Sequence, residues 1–373
     1  MKNELVRVVH AIGSLEVGGS QSFVMNLYRK IDRSQIQFDF IVEHQCESDY
    51  YSEIRSLGGN VLEMPAFRGN PKKYRNHWHE LLLSHPEWKI LHSHLRSTAS
   101  FYLPIAKSLG ITTIIHSHST SETKNVIAPV KRLFEYPLRY QADYFFSCSD
   151  AAGRWLFGNK LVNQGRVVIV PNSIDTSTFE YDISIRESIR SELNIDDSAF
   201  VMGHVGRMVP VKNHEFILRV FQQVHEKNSN SKLLLIGDGP NRAILEKLAT
   251  ELDISNSVIF VGTRSDVGRC LQAMDVFIMP SLYEGFPVSL LEAQASGLPC
   301  VISDVVTTEA DVCPEAIRRL SLKEDLDIWS RACLESSTFN RADACKMVVS
   351  AGFDVSENAA KLQSFYLSIG RDQ

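Results

Sequence analysis

Short runs rich in β-branched and aromatic residues alternate with amphipathic stretches of helical period along most of the chain. LVRVVHAI, QFDFIV, NVLEM, WKILHSH, ITTIIHSHS, DYFFSCS and VVIVPN are interleaved with YYSEIRSL, PKKYRNHWHELLLS, STASFYLPIAKSL, APVKRLFEYPLRY and AAGRWLFG. Strands separated by helices pair through crossovers, so the pattern predicts a parallel sheet covered on both faces, with ligands beyond the carboxyl ends of the strands. A charged segment, RESIRSELNIDDSAF, reads as linker plus entry helix before a second series. Its strands are AFVMGHVG, KLLLIG, VIFVG, DVFIMP and LPCVIS; its helices are NHEFILRVFQQVHEK, RAILEKLATEL, SDVGRCLQAM and VSLLEAQAS. At 373 residues the chain exceeds what one core serves. The expectation is an α/β protein of two doubly wound, Rossmann-like domains, the first over 1–175, with a ligand in the cleft between them.

Seven cysteines without a C-x-x-C pair argue against a disulfide framework or a zinc site and suit a reducing compartment. The apolar run in MKNELVRVVHAIG is too short for a signal peptide, and no later run approaches a membrane span. A cytoplasmic protein is expected. The net charge of −5 divides into +4 up to Asp175 and −9 beyond it. That basic surplus suits contact with an anionic surface and is too small for a nucleic-acid protein.

Within the second series, PSLYEGFPVSLLEAQASGLP concentrates the chemistry. A strand runs into a loop with Glu284, Gly285, Phe286 and Pro287, and a helix from Val288 closes at Gly297 and Pro299. Glu284 precedes the helix start and Glu292 lies just over one turn inside it. Free N–H groups and the positive dipole end suit a phosphate between the two carboxylates. Carboxylates beside a phosphate are tolerable where each faces hydroxyl groups, and a nucleotide-sugar has hydroxyl-rich ribose and hexose on either side of its pyrophosphate.

Other strand-end loops point the same way. GRMVPVKN places Arg207 and Lys212 after a strand, two cations suited to a pyrophosphate, with Asn213 positioned to cap the next helix. GDGP, from Gly237, is a turn that brings backbone close to a ligand, and in VGTRSD, which carries Arg264, Asp266 is an N-cap candidate. In GSLEVGGSQ, Gly18 and Gly19 let a ligand approach the backbone, but the spacing is neither a dinucleotide nor a P-loop signature. The pairs His92/His94 and His116/His118 each share one strand face. No carboxylate or cysteine stands beside them at metal-site spacing, so no metal is expected there; His118, where its strand runs into SHSTSETKN, is the site candidate. Lys131, Arg132 and Arg139, preceded by Lys124, make a basic amphipathic stretch with Val130, Leu133, Phe134 and Leu138 that suits a membrane surface or a core-packed helix, with Pro137 ending or kinking it. Asp325 and Asp327 read as helix N-terminal charges rather than a metal pair.

Taken together, GSLEVGGSQ, HSHS, PNSID, GRMVPVKN, GDGP and EGFPVSLLEAQASGLP resemble, in order and across nearly the whole chain, the motifs of retaining GT-B glycosyltransferases. The likeness is to the large fourth sequence family, also called group 1, and within it to the capsule and exopolysaccharide branch. HSHSTS and ISDVVTTE add to it. The resemblance implies GT-B architecture, with an acceptor-side domain over 1–175, a nucleotide-sugar-binding domain over 176–354 and a final helix over 355–373 returning to the first domain. It implies that Glu292 grips the ribose, that Glu284 faces the donor sugar, and that Arg207 and Lys212 neutralise the departing diphosphate. Gly19 becomes a backbone donor to the distal phosphate, and His118 lies near the transferred sugar. Donor contacts extend over Gly18, Gly237, Arg264, Gly285, Phe286, Pro287 and Val288. No cofactor and no metal are implied, the donor being a nucleotide-sugar, UDP-linked on this likeness.

Ser296 and Ser173 depart from the alanine and glycine usual at those places, both small changes, and the stretch from 322 to 353 matches no motif. The expected activity is transfer of a hexose-type sugar to a glycan or lipid-linked acceptor in surface polysaccharide synthesis, at the inner face of the membrane. A nucleotide-sugar 2-epimerase on the same scaffold and a non-catalytic nucleotide-sugar-binding module are the alternatives.

Overall fold

The computed structural model describes residues 5–16, 18–118, 128–336, 341 and 343–371. It divides into two compact units, one of residues 1–173 with 355–373 and one of residues 174–354.

In the first unit, β1 (Val6–Ile12), β2 (Ile36–Val42), β3 (Val61–Glu63), β4 (Trp88–Ser93), β5 (Thr112–Ser117), β6 (Tyr144–Ser147) and β7 (Val167–Ile169) form a sheet of order β3-β2-β1-β4-β5-β6-β7. Every pairing is parallel. Strand β2 is buried throughout, as expected when helices cover both faces. One face packs Phe23, Tyr28, Phe38 and Phe40; the other packs Trp78, Tyr102, Phe145 and Phe157. Asp39 on β2 is buried and well partnered, accepting from Arg7, from the backbone and side-chain N–H groups of Asn60, and from the Trp88 indole at 2.9 Å.

The helix Val355–Arg371 completes this unit. Val355, Ala359, Leu362 and Tyr366 are buried in the same cluster as Phe38 and Phe40. The Tyr366 hydroxyl lies 2.6 Å from His92 Nδ1.

In the second unit, β8 (Phe200–Val205), β9 (Ser231–Ile236), β10 (Val258–Gly262), β11 (Val276–Met279), β12 (Cys300–Ser303) and β13 (Ile317–Leu320) form a parallel sheet of order β10-β9-β8-β11-β12-β13. Strand β13 is absent from the sequence reading, because IRRL carries two arginines where a buried strand would be apolar. It is an edge strand, and Arg319 turns to Asp311 and to the carbonyls of Val306 and Thr307. The unmatched stretch after 322 also has a role: Trp329, fully buried, packs edge-on against Phe216 with ring centroids 5.1 Å apart. Asp325 caps its helix by accepting from Asp327 N, as its position predicts.

Pro137 separates two short helices, Ala128–Glu135 and Leu138–Gln141. The residues 119–127 that carry Lys124 and most of SHSTSETKN lie outside the described residues. Among those described, no helix is long and apolar enough to cross a membrane.

Candidate active site

Strand order reverses between β8 and β11 in the second unit, and both sequence-derived charge groups lie on the loops leaving those two strands. This is the switch point at which open α/β sheets bind ligands. After β8, Gly206 and exposed Arg207 lead into the turn Pro210–Lys212. After β11, the chain runs from Pro280 to Glu284. Two bonds tie these loops: Leu282 N donates to Val211 O at 2.8 Å and Asn213 Nδ2 donates to Pro280 O at 3.1 Å. Asn213 thus spends its side chain on the neighbouring loop and does not cap the helix His214–Lys227, contrary to expectation. Its backbone takes the left-handed conformation, φ 57°, which asparagine tolerates.

Lys212 Nζ donates to Glu284 Oε1 at 2.7 Å, and Ser281 Oγ donates to the same oxygen at 2.7 Å. Both members of the ion pair are largely screened from water, with side chains 19% and 10% exposed. The pair sets a cation and a carboxylate side by side at the switch point, one suited to phosphate oxygens and one to hydroxyl groups.

The helix Val288–Ala295 begins at Pro287 with no side-chain cap, leaving its first N–H groups to other partners. Pro287 is buried, Val288 half-buried, and Phe286 packs on Phe353 with ring centroids 5.7 Å apart. Gly285 lies half-buried in the same loop. Gly297, at φ 66°, ends the helix, and a Cβ there would meet Arg341 at 2.6 Å. Glu292 sits on the fifth helical position. Its residue keeps some exposure, yet no hydrogen-bond partner meets its carboxyl among the described residues, and burial pushes that carboxyl up to about 8.

The GDGP turn is built on backbone proximity. Gly237 has φ 127°, and a Cβ on it would fall 2.2 Å from Gly206 O; one on Gly239 would fall 2.6 Å from Met208 O. Both glycines lie against the loop that carries Arg207. Arg264, in contrast, stands at the far edge after β10 and is engaged elsewhere. Its guanidinium forks onto Asp266 at 2.7 and 2.8 Å and reaches Glu192 at 2.9 Å. Asp266 occupies the N-cap position of Val267–Gln272 but makes no cap bond; its carboxylate serves Arg264 and Arg269 instead.

In the first unit, the order reverses between β1 and β4, and the glycine loop follows β1. Gly18 has extended backbone, φ −165°, and Gly19 opens the helix Gly19–Lys30. A Cβ on Gly19 would meet nothing within 4 Å. This glycine therefore leaves open space rather than supplying an unusual conformation.

The histidines are more numerous and more tightly joined than their spacing suggests. His92 and His94 leave β4, His116 and His118 leave β5, and His10 on β1 joins them, a residue the sequence reading missed. No local signal marks it, because only the β1/β4 register sets His10 opposite His92. His10 Nδ1 lies 2.9 Å from His94 Nε2, His94 Nδ1 lies 2.7 Å from His118 Nε2, and His92 Nε2 lies 3.2 Å from His116 Nδ1. Burial holds all five rings neutral: His10 and His118 are lowered to about 3, and His92, His94 and His116 are well below the ordinary histidine range. His94 and His118, half-buried past their strand ends, are the rings nearest the surface.

Of the basic residues assigned to a membrane face, Arg132 lies over the Trp155 ring and Arg139 over the Tyr136 ring, while Lys131 is exposed. Leu133 does not pack on the core as an amphipathic helix would place it. It is 72% exposed, as is Tyr140.

Two doubly wound units, with charged and glycine-rich loops at their switch points, define a GT-B glycosyltransferase. Comparison with known proteins agrees. Residues 17–178 match the Glycosyltransferase Family 4 model and residues 185–327 match the model of glycosyl transferases group 1. The putative glycosyltransferase EpsF of Bacillus subtilis (strain 168) is 32% identical over 375 aligned positions, spanning 98% of this chain and 97% of that one. The UDP-Gal:alpha-D-GlcNAc-diphosphoundecaprenol alpha-1,3-galactosyltransferase of Escherichia coli is 24% identical over 77% of each chain. The fold is shared with Anabaena HepE, solved in complex with UDP and glucose: TM-score 0.77 over 97% of this chain and 100% of that one, at 16% identity. The chain belongs to the group 1 glycosyltransferases.

Proposed function

We propose that the protein is a retaining, metal-independent glycosyltransferase that moves a hexose-type sugar from a UDP-linked donor to a glycan or lipid-linked saccharide during surface polysaccharide assembly. The observation that carries this reading is the Lys212–Glu284 pair at the β8/β11 switch point, beside Arg207 and the uncapped helix start at Val288. Transfer builds negative charge on the leaving diphosphate, and fixed cations with the positive end of a helix dipole stabilise that charge without a metal. Glu284 is assigned to the sugar hydroxyls and Glu292 to the ribose. Gly237, Gly285, Phe286, Pro287 and Val288 of the second unit are assigned to the donor, as are Gly18 and Gly19 of the first, Gly19 to the distal phosphate; His118 is assigned to the transferred sugar. The E. coli relative, whose name states a UDP-galactose donor and a diphosphoundecaprenol-linked acceptor, supports the choice of substrates.

Attachment to the inner membrane face belongs to the same reading. Exposed Leu133, Tyr136 and Tyr140 sit among Lys131, Arg132 and Arg139, the combination an interfacial surface uses. Flotation with anionic liposomes should show binding that salt weakens; no binding at low salt removes this part.

The enzyme test pairs a thermal-shift panel of UDP-, GDP- and ADP-sugars with transfer from the best donor to an undecaprenyl-diphosphate-linked saccharide in EDTA, the product anomer being read by NMR. Retained configuration at the anomeric carbon is expected. Inversion, strict metal dependence, or isomerisation of UDP-N-acetylglucosamine without acceptor would each overturn it.

A further inference from the structure

Five imidazoles crowd one face of three adjacent strands, β1, β4 and β5. Within that group His94, His116 and His118 can each bring one ring nitrogen within 4.8 Å of the others. We propose that these three residues form a binding site for an imidazole-preferring divalent transition-metal cation, of which zinc is the test case.

Three features favour this triad. The first is unused ligand capacity: His116 Nε2 is buried and has no hydrogen-bond partner among the described residues, and the His116 ring is wholly inaccessible. A buried ring nitrogen left unpaired is costly, and a cation bound there removes the penalty.

The second is a supporting layer already in place. Metal-bound histidines are oriented by a bond from the other ring nitrogen. His116 keeps Nδ1 on His92 Nε2 at 3.2 Å, and His92 is held in turn by the Tyr366 hydroxyl at 2.6 Å. His94 keeps Nε2 on His10 Nδ1 at 2.9 Å while its Nδ1 faces His118.

The third is access. In the neighbouring group His10 and His92 are inaccessible, whereas His118 and His94 are half-buried past their strand ends. Three nitrogens with a fourth position toward the surface match an open zinc site, and all-imidazole donors select zinc, copper or nickel over magnesium or calcium. The distances allow it. Nitrogens about 2.0–2.1 Å from a tetrahedral ion lie roughly 3.4 Å apart, so the 2.7 Å His94–His118 contact would open by a fraction of an ångström. The cationic guanidinium of Arg96 opposes a second positive charge near His118; Glu135, 3.8 Å from Arg96, offsets part of that.

The sequence reading placed no metal here because it asked for a carboxylate or cysteine at close spacing. The ligands instead come from two strands in register.

The test is zinc binding by the chelator-stripped full chain, without donor or acceptor, in competition with a chromophoric chelator, together with the visible spectrum of the cobalt-loaded protein. One equivalent is expected, with tetrahedral cobalt bands and a rise in Tm. His94→Gln and His118→Gln should each weaken zinc affinity by about tenfold or more, and exposed His79→Gln should leave it unchanged. Circular dichroism without metal checks folding, and His118→Gln, at the half-buried ring, keeps the test decisive should His94→Gln misfold. Absence of binding at micromolar zinc, affinity unaltered in His118→Gln, or loss in His79→Gln would overturn the proposal. Glycosyl transfer is not part of the readout, so this site and the enzyme reading can fail separately.

Discussion

Lys212 Nζ and Glu284 Oε1 lie 2.7 Å apart although the residues are 72 positions apart and leave different strands. The pairing couples two tasks, because the carboxylate assigned to the sugar is held by a cation assigned to the diphosphate. A Lys212→Ala variant should lose kcat by about 10²-fold or more and release Glu284 from its position, so sugar selectivity should broaden with it. Arg207→Ala should lose a comparable factor while keeping that selectivity. Steady-state kinetics on two UDP-sugars separates these outcomes; near-wild-type turnover in both variants would sink the assignment.

Glu292 gives the pH signature. Its folded-state carboxyl titrates at about 8, above the ordinary carboxylate range, so the folded chain holds a proton that the unfolded chain has released. That contribution to stability is complete below the ordinary range and is lost as pH rises through about 8. Relative to Glu292→Gln, the wild-type Tm should therefore fall between about pH 5 and pH 9. Ribose hydroxyls bonding to the carboxylate would favour ionisation, so UDP binding near pH 7 should release a proton, measured by calorimetry in buffers of different ionisation enthalpy. Equal proton release in Glu292→Gln would contradict this.

Gly237→Ala should damage the loop assigned to the donor. Both φ 127° and the 2.2 Å approach to Gly206 O exclude a Cβ, and relief requires moving the segment that carries Arg207. Loss of UDP binding is expected together with a fall in stability of about 1–3 kcal/mol. A wild-type thermal shift with UDP in this variant would show that the turn does not position the donor.

Arg190 is a purely structural cation. It is 1% exposed, donates to the carbonyls of Ala273, Asp196, Asp197 and Ala199, and pairs with Asp275 at 2.9 Å. Arg190→Leu strands those carbonyls while Asp275 keeps Arg186 at 2.6 Å and the Val201 amide, and should cost about 1–3 kcal/mol in urea unfolding, with little change in KM for the donor in the folded fraction.

The alternation of strands and helices made both sheets legible, since a βαβ series has few ways to pair. The placement of Arg207, Lys212 and Glu284 on loops leaving strands was legible too, because those segments carry strong local signals. What escaped were features created by register and by long-range pairing. His10 joins His92 only because β1 lies beside β4. The side chains of Asn213 and Asp266 had a local cap available, yet distant or sideways partners took them, Pro280 in one case and two arginines in the other. Strand β13 was hidden because its arginines find partners at a sheet edge.

The helix Val355–Arg371 carries a consequence for how the protein is made. Its apolar residues share a core with Phe38 and Phe40, but the ribosome translates them after all of residues 174–354. The second unit can fold as a contiguous piece during synthesis, whereas the first must wait with part of its apolar surface exposed until residues 355–371 emerge. Pulse proteolysis of stalled nascent chains would see the second unit become protected first, reversing the order in which the two are encoded.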